Sequence, residues 1–212
     1  MSQKRSVPSP IKSILDIDVK LTSALCNIVS RFLPIRRFST YYKGLEYSCH
    51  GILWFAGWMA FIWCAWSQPL FQMQINFLIG LLIDIFAVAI IKAFVRRRRP
   101  VGNKNDQWIT VGPDVYSFPS GHVSRAFFIV FYFFKLYPLN EFMILILSIW
   151  AIAVAFSRIF LRRHHLLDVI AGSILGYLVT LGTSVIWIDE STAENIVSYI
   201  SDEKVEGGEY HV

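Results

Sequence analysis

The chain has 212 residues, of which 55% are hydrophobic, and its formal net charge is +5. Roughly 45–50% apolar residues are usual in soluble domains. The mean hydropathy of +0.49 and the long apolar runs exclude an ordinary soluble domain and predict a multispanning membrane protein. Basic residues cluster beside the apolar runs, which indicates anionic headgroups or substrates rather than nucleic acid.

Residues 1–50 predict a cytoplasmic segment without a cleaved signal, because the basic N-terminus has no apolar stretch beside it. Apolar residues then recur at steps of three and four, interrupted by charges; they are Ile14, Ile17, Leu21, Leu25, Ile28 and Phe32. This pattern favours an amphipathic helix in the membrane interface. Packing of the same helix on the protein is an equal alternative.

Five segments approach the length of about 20 apolar residues that a helix needs to cross a bilayer. They are Gly51 to Ser67, Asn76 to Val95, Val123 to Tyr137, Phe142 to Leu161, and Leu166 to Ile188. Residues 51–188 are therefore predicted to form an all-α bundle of five spans, or six. Residues 189–212 read as an acidic tail. Three widely spaced cysteines support neither a disulfide framework nor a zinc site.

The distribution of Lys and Arg predicts which side of the membrane each loop occupies. Eight basic residues precede the first span, Arg96 to Arg99 follow the second, and the loop over 67–75 has none. The N-terminus is therefore predicted to be cytoplasmic. Three motif blocks, which begin at Lys92, Pro119 and Ser157, then lie on that same side.

The first block runs from Lys92 to Arg99 and Pro100. Lys92 and Arg99 share a helix face if the second span stays helical, and Pro100 predicts that the helix ends at Arg99. Both are candidate ligands of an anion. Arg96 to Arg98 read as a basic cluster that stops membrane transfer.

The second block is Pro119-Ser120-Gly121-His122, directly before an apolar run. This position predicts a helix N-terminus, where free N–H groups bind anions. Gly121 allows close backbone approach, Ser120 can donate its hydroxyl, and His122 can protonate a leaving oxygen.

The third block runs from Ser157-Arg158 to Asp168. His164 and Asp168 are spaced to share one face of the helix that opens the fifth span, so the carboxylate can orient the imidazole as a nucleophile toward phosphorus. His165 also reaches Asp168, at the weaker spacing of three. The chain after Arg158 must turn to bring its guanidinium back to the site.

Together these blocks resemble the type-2 phosphatidic acid phosphatase superfamily, which includes lipid phosphate phosphatases and vanadium haloperoxidases. The family pattern is Lys, six residues, Arg-Pro; then Pro-Ser-Gly-His; then Ser-Arg, five residues, His, three residues, Asp. Every specified position is met, and the resemblance covers about residues 76 to 188.

The resemblance implies that His164 attacks phosphorus to form a phosphohistidine, Asp168 orients it, and His122 protonates the leaving oxygen. The phosphoryl oxygens would then be held by Lys92, Arg99, Ser120, Gly121 and Arg158. With these fixed cations the chemistry requires no metal or cofactor. Two departures stand out: the usual core has six spans, and many members carry glycine where Arg162 stands.

Tyr-Ser-Phe-Pro-Ser-Gly-His and Arg-His-His-Leu-Leu-Asp-Val look like the polyisoprenoid diphosphate phosphatases, the presqualene diphosphate branch. This implies farnesyl, geranylgeranyl or presqualene diphosphate as substrate, and an endoplasmic reticulum or nuclear-envelope location with a cytoplasmic-facing site. Its partners would be membrane lipids and the lipid phosphate. Alternatives are a phosphatidate phosphatase, a phosphotransferase and an inactive membrane scaffold.

Three further features do not belong to the family pattern. Asp84, inside the second span, could pair with a basic group, make a structural hydrogen bond or touch a diphosphate. Arg125 lies one turn after His122 and could reach the site or face headgroups. Gly172 and Gly176 have the spacing of close helix packing.

Overall fold

In the computed structural model, residues 8–32, 37–101 and 112–200 are described, and all their regular elements are helical. The helices are α1 (Ser9–Phe32), α2 (Ser39–Ser48), α3 (Gly51–Cys64), α4 (Gln68–Val95), α5 (Gly121–Phe131), α6 (Glu141–Phe160), α7 (Leu166–Val185) and α8 (Glu190–Ile200). A 3-10 turn, Gly112–Val115, precedes α5, and a π-helical turn, Tyr132–Leu136, follows it. The all-α prediction is confirmed.

Within the described part, α4, α6 and α7 are long and apolar enough to cross a membrane. The predicted first span corresponds to α3, which has only 14 residues. The predicted third span is α5 with its π-helical turn. All five predicted segments are thus apolar helices of a membrane bundle, although α3 and α5 fall short of a full crossing length.

Helix α5 lies at the centre of the bundle and packs most closely against α7. A Cβ built at Gly172 would lie 2.6 Å from the Ser120 carbonyl oxygen, and one at Gly176 would lie 2.4 Å from that of Ser124. Only glycine allows backbones to approach this closely, so the predicted packing role of the two glycines is confirmed. The contact fixes the start of α5 against the start of α7.

Helix α1 packs on the protein, which is one of the two alternatives left open by its sequence, and its position in the membrane interface stays a prediction. Asp18, Thr22 and Cys26 are buried at steps of four and contact the bundle, whereas apolar side chains such as Ile14 and Ile17 are exposed. Thr22 Oγ1 accepts a hydrogen bond from the Leu166 N–H, and Cys26 Sγ donates to the Ile159 carbonyl. The polar stripe of α1 therefore packs on the protein, and its apolar face is available to lipid.

Helix α8 occupies the first part of the predicted acidic tail. It packs on α4 through Ala193 and Val197, which cover Phe71. Gln68 Nε2 donates to Glu194 Oε1 at 2.7 Å. The other acidic residues of the tail, at 202–209, lie outside the described residues.

Candidate active site

The three motif blocks meet at one end of the bundle, where α4 and α6 end and α5 and α7 begin. The Ser120 N–H donates to the Asp168 carbonyl at 3.0 Å, and the Ser117 N–H donates to the Arg97 carbonyl at 2.8 Å. These backbone bonds connect the end of α4, the segment before α5 and the start of α7. The expected convergence of the blocks at one end is thus present.

The helix carrying Lys92 ends at Val95, not at Arg99 as Pro100 predicted. Arg96 adopts the left-handed conformation, with φ at 52°, and its N–H donates to the Lys92 carbonyl. A residue in the left-handed conformation cannot continue an α-helix, so the helix ends before the chain reaches Pro100. Lys92 and Arg99 therefore do not share a helix face.

Lys92 and Arg99 reach the same loop by different routes. The buried Lys92 Nζ donates to the Tyr116 carbonyl at 2.6 Å and lies 3.7 Å from Asp114 Oδ1. Arg99 Nη2 donates to the Asp114 carbonyl. Burial and the neighbouring charge of Arg163 lower the pKa of Arg99 to about 10, so Arg99 still carries its positive charge at neutral pH.

The Ser-Gly-His block forms the N-terminus of α5, as predicted. Ser120 is the N-cap residue, and its buried hydroxyl has no hydrogen-bond partner among the described residues. His122 Nε2 also lacks one there. A Cβ at Gly121 would lie 3.0 Å from Val88 Cγ1, which explains the need for glycine. A helix N-terminus with unpaired donors is a site for an anion.

His164 lies outside the helix that its spacing predicted, because α7 begins only at Leu166. Its Nδ1 lies 3.9 Å from Asp168 Oδ2, which is too long for a hydrogen bond. Nδ1 instead contacts the Ser117 carbonyl oxygen at 2.7 Å. A carbonyl only accepts, so Nδ1 carries the proton and Nε2 carries the lone pair.

His165 forms the direct contact with Asp168 that was expected of His164. It is the N-cap of α7, and its N–H donates to Asp168 Oδ2 at 2.7 Å in a capping box. Its Nδ1 lies 3.2 Å from the same oxygen. Asp168 Oδ2 also accepts a hydrogen bond from Ser117 Oγ. Asp168 thus acts on His164 indirectly, by fixing the residue whose carbonyl holds the imidazole.

Arg97 is a site residue that the sequence did not distinguish from its neighbours. Its Nη1 donates to Asp168 Oδ1 at 2.7 Å, and its Nη2 donates to Asp18 Oδ2 at 2.6 Å. Its side chain is 9% exposed, whereas Arg96 and Arg98 are exposed residues. The prediction that Arg97 belongs to a simple stop-transfer cluster is therefore wrong.

The chain does turn after Arg158, as its position relative to His164 requires. The N–H groups of Arg163 and His164 both donate to the Arg158 carbonyl, at 3.0 and 3.3 Å. Arg162 adopts the left-handed conformation in this turn, with φ at 53°. Glycine takes this conformation at little cost, which accounts for its frequency at this position in the family pattern.

Glu46 on α2 is a second residue that the motifs did not reveal. Its Oε2 lies 3.4 Å from Arg158 Nη1 and 3.7 Å from Arg163 Nη2. Arg158 also donates from Nη2 to the Tyr42 carbonyl. Two buried guanidinium groups and one carboxylate form an ion-pair cluster, which reduces the cost of burying the two cations.

His164 lies in the field of three motif cations. Burial, followed by the charges of Lys92, Arg99 and Arg158, holds its pKa well below the ordinary value of 6.5. The imidazole is therefore neutral at physiological pH, as a nitrogen nucleophile must be. Arg158 and His164 also act electrostatically on His122, which places the second histidine in the same charged pocket.

A cavity of about 520 Å³ opens from this charged end along α3 and α4. Its lining combines charged or polar side chains, namely His50, Lys92, Asp114, His122 and Arg125, with apolar ones, namely Ile52, Phe55, Leu82, Ile85, Val88 and Ala89. Among the described residues, no group of histidine, cysteine or carboxylate side chains is arranged to hold a metal ion.

The fold and the site define a helical membrane protein with a cluster of buried cations and histidines at one end of its bundle. The family model described as the PAP2 superfamily matches residues 74–191, more than half of the chain. The protein belongs to the PAP2 superfamily. The resemblance carried by the three motif blocks is therefore confirmed at the level of the superfamily.

The chain is similar in sequence to a curated plant protein and in fold to a solved bacterial structure. A probable lipid phosphate phosphatase beta of Arabidopsis thaliana is 36% identical over 144 residues, which cover 54% of this chain and 66% of that protein. The match thus spans slightly less than two thirds of the relative. The crystal structure of Aquifex aeolicus LpxE has a TM-score of 0.53 at 18% identity, covering 70% of this chain and 86% of that one, and shows a shared fold.

Proposed function

We propose that this protein is a membrane phosphatase that releases phosphate from polyisoprenoid mono- and diphosphates, such as farnesyl, geranylgeranyl and presqualene diphosphate. The observation that carries the proposal is the cavity that joins the phosphate site to apolar helix surfaces. A lipid phosphate has this same division into an anionic head and an apolar tail. The similarity to a probable lipid phosphate phosphatase supports the same class of substrate.

The proposed reaction has two steps. In the first, His164 Nε2 attacks phosphorus, the bond from phosphorus to the leaving oxygen breaks, and His122 gives that oxygen a proton. In the second, His122 accepts a proton from water, the water oxygen attacks phosphorus, and the bond to His164 breaks to release inorganic phosphate. Lys92, Arg99 and Arg158 stabilise the charge on the phosphoryl oxygens, which is the main requirement of phosphoryl transfer.

The roles of the two histidines next to Asp168 follow from their contacts. His164 has its proton on Nδ1 and lies among the motif cations, whereas His165 caps α7 and contacts the carboxylate. Ser120 and the Gly121 N–H supply neutral donors to the same phosphoryl group. No step of this scheme uses a metal ion, so turnover is expected to persist in EDTA.

The test is phosphate release by purified protein in nanodiscs, with EDTA, from farnesyl diphosphate, farnesyl phosphate and phosphatidate. Farnesyl diphosphate should have the highest kcat/KM. A higher value for phosphatidate would favour a glycerolipid phosphatase, and no release from any substrate would favour the inactive scaffold.

The nucleophile is tested with the matched pair His164→Ala and His165→Ala. We expect His164→Ala to abolish turnover and the trapping of labelled, base-stable and acid-labile phosphate on the protein after an alkaline quench, whereas His165→Ala keeps both at a reduced rate. The reverse result would assign the nucleophile to His165.

The location proposed for the protein is the endoplasmic reticulum or nuclear envelope, with the site facing the cytoplasm. The support is the cluster of Lys and Arg before α3 and after α4. A glycosylation acceptor inserted into the loop over 102–114 should remain unmodified in cells. Its glycosylation would place the site on the lumenal side.

A further inference from the structure

Arg125 is a buried cation in the cavity wall that the proposed reaction does not use. It lies on α5 one turn after His122 and lines the same cavity. Arg125 is 6% exposed, and its Nε has no hydrogen-bond partner among the described residues. A buried guanidinium N–H without a partner is costly unless a ligand completes it.

The position of Arg125 is fixed by contacts from three other parts of the chain. Its Nη2 lies 3.0 Å from Asp84 Oδ2 on α4, and its Nη1 donates to the Cys49 carbonyl at 3.1 Å. Asp84 is fully buried and accepts a second hydrogen bond from Ser124 Oγ. The Arg125 guanidinium packs over Gly51, where a Cβ would lie 3.1 Å from Nη2.

These contacts answer the question that the sequence left open for both residues. Asp84 pairs with a basic group, and Arg125 reaches the site rather than the headgroups. The carboxylate neutralises Arg125 and holds Nη2, while Nε has no hydrogen-bond partner among the described residues. Arg125 is therefore suited to binding one anionic oxygen in addition to those that the three motif cations would bind.

The geometry of displacement at phosphorus indicates which anion would bind next to Arg125. The attacking and leaving groups are in line on opposite sides of phosphorus, so the leaving oxygen faces His122 when His164 attacks. In a diphosphate ester that oxygen belongs to a second phosphate, which continues away from His164. Arg125 lines the same cavity as His122, and the apolar Phe55 and Leu82 line it too.

We propose that Arg125 binds the non-transferred phosphate of a diphosphate substrate and thereby determines the preference for diphosphates over monophosphates. This role rests on the proposed function. The bond that breaks leaves its electron pair on that phosphate, so the negative charge next to Arg125 grows in the transition state. An interaction that strengthens with this charge raises kcat/KM for diphosphates specifically. A monophosphate ester has only an ester oxygen and carbon at this position.

The experiment compares kcat/KM for farnesyl diphosphate and farnesyl phosphate in wild type and two variants. The double variant Asp84→Asn/Arg125→Gln removes the ion pair without leaving a buried charge unpaired, and Arg125→Lys keeps the charge but loses the planar fork. Arg98→Gln removes an exposed arginine near the same membrane surface and is the control. Thermal stability in detergent confirms that each variant is folded.

We expect the ratio of the two kcat/KM values, diphosphate over monophosphate, to fall about 10- to 100-fold in the double variant, as for loss of a hydrogen bond to a charged group. Arg125→Lys should lose less, and Arg98→Gln should keep the ratio. Equal losses on both substrates, or an unchanged ratio, would overturn the role of Arg125 while leaving the proposed function intact. A wild type that releases phosphate only from monophosphates would overturn the role of Arg125 and restrict the proposed function to monophosphates, and a wild type that releases phosphate from neither substrate would overturn both.

Discussion

Replacement of Arg97 by Gln tests whether the ion-pair chain behind His164 stabilises the protein. Arg97 connects Asp18 of α1 to Asp168 of α7, with side-chain exposures of 9%, 3% and 0% for the three residues. Breaking a buried ion pair by removing one partner costs about 3–5 kcal/mol. The glutamine cannot neutralise either carboxylate, although it keeps much of the side-chain volume.

The expected loss lies at the lower end of that range, because both carboxylates keep other donors. Asp18 Oδ1 accepts from the Leu167 N–H at 3.1 Å, and Asp168 Oδ2 accepts from Ser117 Oγ and the His165 N–H. A loss of about 3 kcal/mol corresponds to a decrease in Tm of about 6–12 °C for a protein of this size.

The protein is heated in detergent under one fixed protocol, and the fraction that remains monodisperse is measured by size-exclusion chromatography. Arg98→Gln is the matched control, since it removes the same charge from an exposed neighbour. The double variant Asp18→Asn/Arg97→Gln should be more stable than the sum of the single losses predicts. A Tm for Arg97→Gln within about 2 °C of both wild type and Arg98→Gln would refute the reasoning.

Three other variants or conditions give simpler tests. Arg162→Gly removes the cost of a left-handed non-glycine residue and should stabilise the protein by about 1 kcal/mol in the same heating assay, whereas Arg162→Val should destabilise it. Glu46→Gln leaves Arg158 without its counter-charge, so inorganic phosphate should inhibit turnover about 3- to 10-fold more strongly; an unchanged inhibition constant would contradict this. Because the pKa of His164 is lowered, the imidazole stays neutral as pH falls through 6.5, and the acid limb of kcat/KM should lie below that value. An inflection at or above pH 6.5 would show an unperturbed nucleophile.

Hydrophobic pattern and motif spacing predicted most of the fold and the convergence of the site. The apolar runs located α3 to α7, because burial in lipid demands continuous apolar helices, whereas α2 and α8 were not predicted as helices. The spacing of Lys92, Ser120 and His164 predicted one shared site at one end of it. The apolar runs and the motif spacings are both visible as distances along the sequence.

The helix ends were less predictable, because they depend on single backbone conformations. Arg96 ends α4 in a left-handed conformation that nothing in a run of four arginines indicates. His165 begins α7 as an N-cap, a position more often taken by Ser, Thr, Asp or Asn. Because α7 begins only after His165, His164 lies outside the helix. Its Nδ1 therefore bonds to the Ser117 carbonyl instead of to Asp168.

The residues missed by sequence analysis share a different cause. Arg97 is chemically identical to Arg96 and Arg98, and only the tertiary contact with Asp18 distinguishes it. Glu46 lies in a short helix without a marked motif, and its partners are far along the chain. A buried ion pair between distant segments has no local signature, so a single sequence cannot reveal it.

These contacts also make α1 part of the scaffold that holds the candidate site. The exposed apolar face of α1 is suited to lipid, while its buried Asp18 holds both Arg97 and the first turn of α7. Displacing α1 from the bundle would leave the Leu166 and Leu167 N–H groups and the Arg97 guanidinium without these partners. Since Arg97 in turn holds Asp168, the packing of α1 on the bundle and the order of the segment around His164 are coupled through a continuous chain of buried polar contacts.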